Sequence, residues 1–245
     1  MTSTKTLLAA AVALTAFAAV PATAAIIGVT GPNSFSGASE NAGAAPEQIT
    51  PASGFNVGDD DATNDRMQGF DEVQSFVLSR AIEVNNDGIF SNTGIIGAGT
   101  RVSSHFIFLN NSGAGNLNHG LNGAPVVWEF DGAILGVMSD SGGRLENEST
   151  DILGADGVIY PGGGTGTLFN ARGFETSAPF ADVANDFYAV GLGPNVLEIG
   201  MNVTEPGDWV RVVTAATPVP LPAAAWMLIA GLGGLGALSR KRRAA

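Results

Sequence analysis

"LEIGMNVTEPGDWVRVVT", Leu197 to Thr214, decides the fold class. In its first half Leu197, Ile199, Met201 and Val203 fall on one side of an extended chain, opposite Glu198, Gly200, Asn202 and Thr204. That period of two marks a half-buried strand, because successive side chains of extended backbone leave opposite faces. Glu205-Pro206-Gly207-Asp208 then sets Pro and Gly at the central positions of a type II turn. "WVRVVT" returns with Val210 and Val212 on one side, so the stretch predicts a β-hairpin.

Strand signals continue upstream. "SFVLSRAIEV" (75–84) runs into Asn85-Asn86-Asp87-Gly88, a turn whose residues tolerate positive φ. "TRVSSHFIFLN" (100–110) is aromatic and β-branched. "PVVWEFD" (125–131) alternates, with Val126, Trp128 and Phe130 facing away from Val127, Glu129 and Asp131. "AILGVM" (133–138) is a short apolar run, as in a strand covered on both faces. From Thr30 to Asp71, by contrast, Gly, Ala, Ser, Asn, Pro and Asp predominate, which predicts a long irregular segment with one or two short edge strands. Many short strands, Gly-rich turns and little 3.6-residue periodicity predict an all-β chain. The expected body is an antiparallel, jelly-roll-like β-sandwich over 73–216, preceded by the irregular stretch 26–72.

The two ends differ from this body. Lys5 precedes an apolar run from Leu7 to Val20, Pro21 breaks it, and Ala22, Ala24 and Ala25 follow. A basic start, a short apolar stretch and an Ala-x-Ala exit describe a signal peptide over 1–25, cleaved after Ala24 or Ala25. The secretory translocon and a signal peptidase are the partners this implies. At the other end Ala223 to Leu238 carries no charge. As a helix it is roughly 24 Å long at 1.5 Å per residue, so it spans a bilayer core only when flanking residues extend it to about 223–239. Trp226 suits the membrane–water boundary, and Arg240, Lys241, Arg242 and Arg243 suit the cytoplasmic side. The expected precursor is anchored in the inner membrane, with its folded domain outside.

Between these ends, 26–216 holds all 23 acidic residues and six cations, all arginine, for a formal charge of −17. Such a surface repels nucleic acid and anionic lipid. The chain has no cysteine, so disulfides contribute nothing and a hydrophobic core has to hold the fold.

Val219-Pro220-Leu221-Pro222-Ala223, the apolar glycine-containing helix and the basic end together resemble the tripartite PEP-CTERM sorting signal in its VPLPA form, over 217–245. Leu221 stands where the better-known form has Glu between its prolines. The resemblance implies recognition by an exosortase, a membrane-embedded cysteine protease of Gram-negative bacteria. That protease cuts near the proline motif and passes the protein outward, usually in an exopolysaccharide or biofilm setting. The order "SHF", "FDGAILGV", "PGDWVRVVT" also resembles ectodomains of other exosortase substrates.

Candidate sites in the body are sparse. "SDSGG" (139–143) resembles the surroundings of a trypsin-like nucleophile, with His105 and Asp131 preceding Ser141 in order. Only 36 residues separate His105 from Ser141, too few for the two β-barrels of that family, and a loop explains the motif as well. No catalytic residue is therefore expected, a serine hydrolase through Ser141 being the alternative. In "DDDATNDRMQGFDE" (59–72) the carboxylates of Asp59, Asp61, Asp65, Asp71 and Glu72 could hold calcium, since hard cations want clustered oxygens. Arg66 stands where an EF-hand needs Gly, and a solvated acidic loop is the plainer reading. His105 reads as a polar-face or satisfied core residue and His119 as loop. Trp128, Trp209, Tyr160 and Tyr188 are the rings available for stacking on sugars, Trp209 foremost. The function expected is an exported surface or matrix protein with a structural or adhesive body. A calcium-dependent module binding extracellular polysaccharide is the alternative.

Overall fold

The computed structural model describes residues 25–36, 43–58, 65–85, 93–111, 116–121, 123–140, 142–160, 173–174, 186–203 and 207–216. The expected signal segment before Ala25 and the sorting signal at 217–245, with Val219 to Ala223, Trp226 and Arg240 to Arg243, lie outside the described residues. Among those described, no helix is long and apolar enough to cross a membrane.

The body is all-β apart from one helix. Its elements are β1 (Ile26–Thr30), β2 (Phe35–Ser36), β3 (Glu47–Gln48), β4 (Gln68–Asp71), β5 (Phe76–Val77), β6 (Ile82–Asn85), β7 (Thr93–Ile96) and β8 (Arg101–Asn110). There follow β9 (Leu117–His119), β10 (Val126–Phe130), β11 (Ile134–Met138), α1 (Arg144–Leu153), β12 (Phe187–Val190), β13 (Val196–Val203) and β14 (Gly207–Ala215). One sheet runs β1-β10-β13-β9-β2, with β12 also on β13. The second runs β3-β4-β8-β14-β11-β6-β7, with β5 also on β8. All pairings are antiparallel except β3 with β4.

The expected hairpin does not form. β13 pairs with β10, β12 and β9 in the first sheet, whereas β14 lies between β8 and β11 in the second. The apolar faces of the two strands meet across the core instead of lying side by side. Leu197, Ile199, Met201 and Val203 from β13 share one buried cluster with Val210 and Val212 from β14. The reason is the other face of β14, where Trp209, Arg211 and Val213 are also buried. A strand covered on both faces belongs in the middle of a sheet. The glycine that opens β14 is required all the same, because Gly207 has φ 108° and a Cβ there would lie 2.4 Å from the Leu109 carbonyl oxygen.

Residues 26–72 are less irregular than their composition suggests. β1 edges the first sheet on β10, and β4 pairs with β8 inside the second. "SFVLSRAIEV" is two strands, β5 and β6, separated at Leu78–Ala81.

Alternation divides the buried side chains of the second sheet between two layers. Ile107 and Leu109 of β8 join the core between the sheets, while Phe106 and Phe108 join a cluster on the outer face with Phe70, Val57, Tyr160 and Trp209. Further along that outer face, Leu145 and Leu153 of α1 pack with Val84, Val102, Met138 and Val213. The helix and the loops around Val57 and Tyr160 therefore form a third layer over the second sheet.

Candidate functional site

The outer face of the second sheet carries the densest polar chemistry among the described residues. Arg211 projects from the centre of β14 toward α1 and is fully buried. Its Nε and Nη2 donate to the two carboxylate oxygens of Glu72 at 2.7 and 2.8 Å, and Nη1 donates to the Glu146 carbonyl at 2.6 Å and Ser149 Oγ at 2.8 Å. Glu72 also accepts from the hydroxyls of Tyr160, at 2.7 Å, and Ser104. The guanidinium lies 5.6 Å from the Phe106 ring centre and 5.5 Å from that of Tyr160. Burial alone would depress the Arg211 pKa, but the adjacent Glu72 carboxylate outweighs it and the pKa is raised. Burial, with the Glu72 charge beside it, pushes the Tyr160 hydroxyl well above its ordinary value. A fork-to-fork pair that also stitches a strand to the helix above it is a structural clasp.

Glu146 sits in the first turn of α1 beside this clasp. Its side-chain oxygens are buried with no hydrogen-bond partner among the described residues. Desolvation, and then the negative charge of Asp140, raise its pKa to about 8. The unfolded chain ionises this group near its ordinary pKa of 4.5, while the folded chain keeps its proton up to about 8. Its contribution to stability is therefore complete below pH 4.5 and lost as pH rises toward 8. Glu146→Gln is expected to flatten that loss, so that melting temperatures at pH 5 and pH 8.5 lie closer together in the variant than in the wild type. Above pH 8 the variant should be the more stable, by an amount on the order of a few kcal/mol.

The "SDSGG" motif serves this helix. Asp140 accepts from the backbone N–H groups of Arg144 and Leu145 at 3.0 and 2.8 Å, which satisfies two unpaired donors of the first turn. Ser141 lies outside the described residues. The aspartate that the resemblance to proteases would assign to His105 is engaged elsewhere, since Asp131 accepts from the Ala25 N–H at 2.9 Å. His105 instead has Asp71 Oδ1 at 2.7 Å from Nδ1 and Thr214 Oγ1 at 3.0 Å from Nε2. The connectivity is carboxylate, imidazole, hydroxyl, yet His105 and Thr214 are fully buried and the line faces Phe130 in the core. Its hydroxyl is closed to a substrate. This is the satisfied core histidine the sequence suggests.

His119 belongs to β9 and is buried, not in a loop. Its Nδ1 accepts from the Met67 N–H at 2.8 Å, leaving Nε2 to donate to the Pro32 carbonyl at 2.8 Å. Desolvation keeps it neutral by lowering its pKa.

The acidic stretch divides. Asp59 and Asp61 lie outside the described residues, and Asp65 is exposed and paired with Arg66 at 2.7 Å. Asp71 and Glu72 are neighbours in sequence, so extended backbone sends them to opposite faces of the second sheet. Asp71 meets His105 on the core side and Glu72 meets Arg211 on the helix side, so the two carboxylates cannot share an ion. Among the described residues no group of three His, Asp or Glu side chains is placed to hold a metal.

Burial removes the rings considered for sugar stacking: this corrects Trp209, Tyr160 and Tyr188, whereas Trp128 lies in the core as its alternation with Val126 and Phe130 predicts. Trp209 is 1% exposed and donates from Nε1 to Asn110 Oδ1 at 2.9 Å, and Trp128, Tyr160 and Tyr188 are buried as well. What the surface offers instead is an open groove of about 590 Å³ along α1, lined by Arg80, Asn147, Glu148, Asp151 and Ile159 among others. Arg80 grips both Asp151 oxygens at 2.6 and 2.8 Å, and this pairing holds the Asp151 carboxyl below its usual range. The groove can supply hydrogen bonds and one neutralised ion pair. Arg211, Glu146 and Arg80 escaped the sequence reading, although a lone arginine in the apolar run "WVRVVT" was a signal that it is buried with a carboxylate.

No family model, curated protein or solved structure matches this chain.

Proposed function

We propose that the chain is an exported surface or matrix protein, sorted by an exosortase-type protease, whose jelly-roll-like β-sandwich serves a structural or adhesive role. The observation that carries this reading is the pair of end segments: the Ala-x-Ala leader before Ala25 and the VPLPA motif, apolar run and four cations after Thr217. The body supports it in two ways. Its chain passes repeatedly between the sheets, at β8 to β9, β10 to β11, β11 to β12 and β13 to β14, as jelly-roll chains do. Its two ends also leave from one place: Ala25 is hydrogen-bonded to Asp131, and the Ala215 N–H donates to the Ala133 carbonyl at 2.7 Å.

The carboxylate-rich, lysine-free surface of the body suits solubility outside the cell and does not suit nucleic acid. The test is fractionation of the producing cells with and without their exosortase. The protein is expected in the outer or extracellular fraction of intact cells and in the inner membrane of the deficient strain. An unchanged distribution sinks the reading.

A further inference from the structure

The start of β1 is held by two aspartates that no arginine among the described residues pairs with. The Ala25 N–H donates to Asp131 Oδ1 at 2.9 Å and the Ile26 N–H donates to Asp71 Oδ1 at 2.9 Å. The Ala25 carbonyl in turn accepts from the Asp131 N–H at 3.1 Å, so a single aspartate grips Ala25 on both sides. The charged and titratable groups facing this corner are Asp131 and Glu129 from β10 and the segment after it, Asp71 from β4 and His105 from β8. The arginines among the described residues are committed elsewhere. Arg66, Arg80, Arg144 and Arg211 are salt-bridged to Asp65, Asp151, Glu83 and Glu72, and Arg101 donates to the Ser75 carbonyl. No lysine occurs between Lys5 and Lys241.

We propose that Ala25 is the first residue of the mature chain and that its α-ammonium forms an ion pair with Asp131, so that removal of the leader itself completes the docking of β1. The proposal rests on the export reading. A signal peptidase adds water across the Ala24–Ala25 amide: the C–N bond breaks, Ala24 leaves as a carboxylate, and the Ala25 amine takes up a proton. Ala22-Thr23-Ala24 supplies the Ala-x-Ala that this cleavage needs, whereas a cut after Ala25 would discard the residue Asp131 grips. The nitrogen already stands at charge-assisted hydrogen-bond distance, so no rearrangement is needed. The ammonium brings a full charge and three donors where the precursor offers one neutral N–H, and Ala25 and Asp131 are both half-buried, where a charge pair is screened less than in water.

The absence of lysine makes the test selective. Protein recovered from outside the cells is labelled with an amine-specific acylating reagent across a range of pH, and the N-terminal peptide is read by mass spectrometry, which separates it from any peptide carrying Lys241. The peptide is expected to begin at Ala25. Its labelling midpoint in the folded protein should lie about one unit above that of the same amine in denaturant, equivalent to roughly tenfold slower labelling at pH values well below both midpoints, and Asp131→Asn should abolish the difference. Burial without an ion pair moves the midpoint the other way, so the wild-type comparison decides even where the variant fails to fold. A mature chain beginning at Ile26 or beyond, or a midpoint at or below the denatured value, overturns the proposal. A chain still carrying Met1 overturns the export reading with it; an exported chain starting elsewhere overturns only the ion pair.

Discussion

Glu72→Ala is expected to cost about 3–5 kcal/mol of folding stability, among the largest effects available to a single substitution here. The substitution leaves the guanidinium of Arg211 fully buried, with no carboxylate to offset its charge. Tyr160 loses an acceptor for its hydroxyl at the same time, and so does Ser104. Arg211→Ala should be comparably damaging, because it leaves the Glu72 carboxylate in the same apolar surroundings. Replacing both residues with methionine should cost much less than either truncation, since no orphaned charge remains. Denaturant unfolding of the mature protein, at one pH and salt concentration, compares the three. Equal losses from the single and double variants would show that packing, not charge, is what the pair contributes.

Trp128→Ala is expected to cost about 3–5 kcal/mol through the opposite layer. Trp128 stands on β10 of the first sheet and reaches across the core to β4 of the second. Its indole N–H points at Met67 Sδ, 3.3 Å away, and a Cβ added to Gly69 would lie 2.7 Å from its ring. Gly69 is therefore the space the ring occupies. Gly69→Ala should cost about 1–3 kcal/mol by overpacking. Combined with Trp128→Ala it should cost less than the sum, because the truncation vacates the volume the new methyl needs. Thermal or denaturant unfolding of the four proteins completes the cycle, and strict additivity would mean that ring and glycine do not compete for space.

Much of the body is legible from alternation alone. β8, β10 and β11 fall where their runs of β-branched and aromatic residues predict, and Val126, Trp128 and Phe130 face the core as their spacing requires. What the sequence conceals is partnership. A strand–turn–strand pattern does not say whether its two arms pair edge to edge or face to face, and β14 is drawn away from β13 because both of its faces need cover. Burial of Trp209 follows from the same fact, since a ring beside a turn reads as exposed only if the strand has a free face. The helix α1 is hidden for another reason. In "RLENESTDIL" only Leu145, Ile152 and Leu153 are apolar, too few to impose a helical period, and its capping residue, Asp140, stands four positions before its first residue. The residues of the Glu72–Arg211 clasp are far apart in sequence, and nothing local announces that two neighbouring carboxylates, Asp71 and Glu72, point to opposite layers.

The proposed function rests on the two end segments. The intact mass of the protein recovered from outside the cells tests the account most directly. The account predicts a chain that starts at Ala25 and has lost Arg240 to Arg243 along with the apolar run before them, and that keeps both in a strain without the processing protease. A mature chain that still ends in those four cations would contradict it.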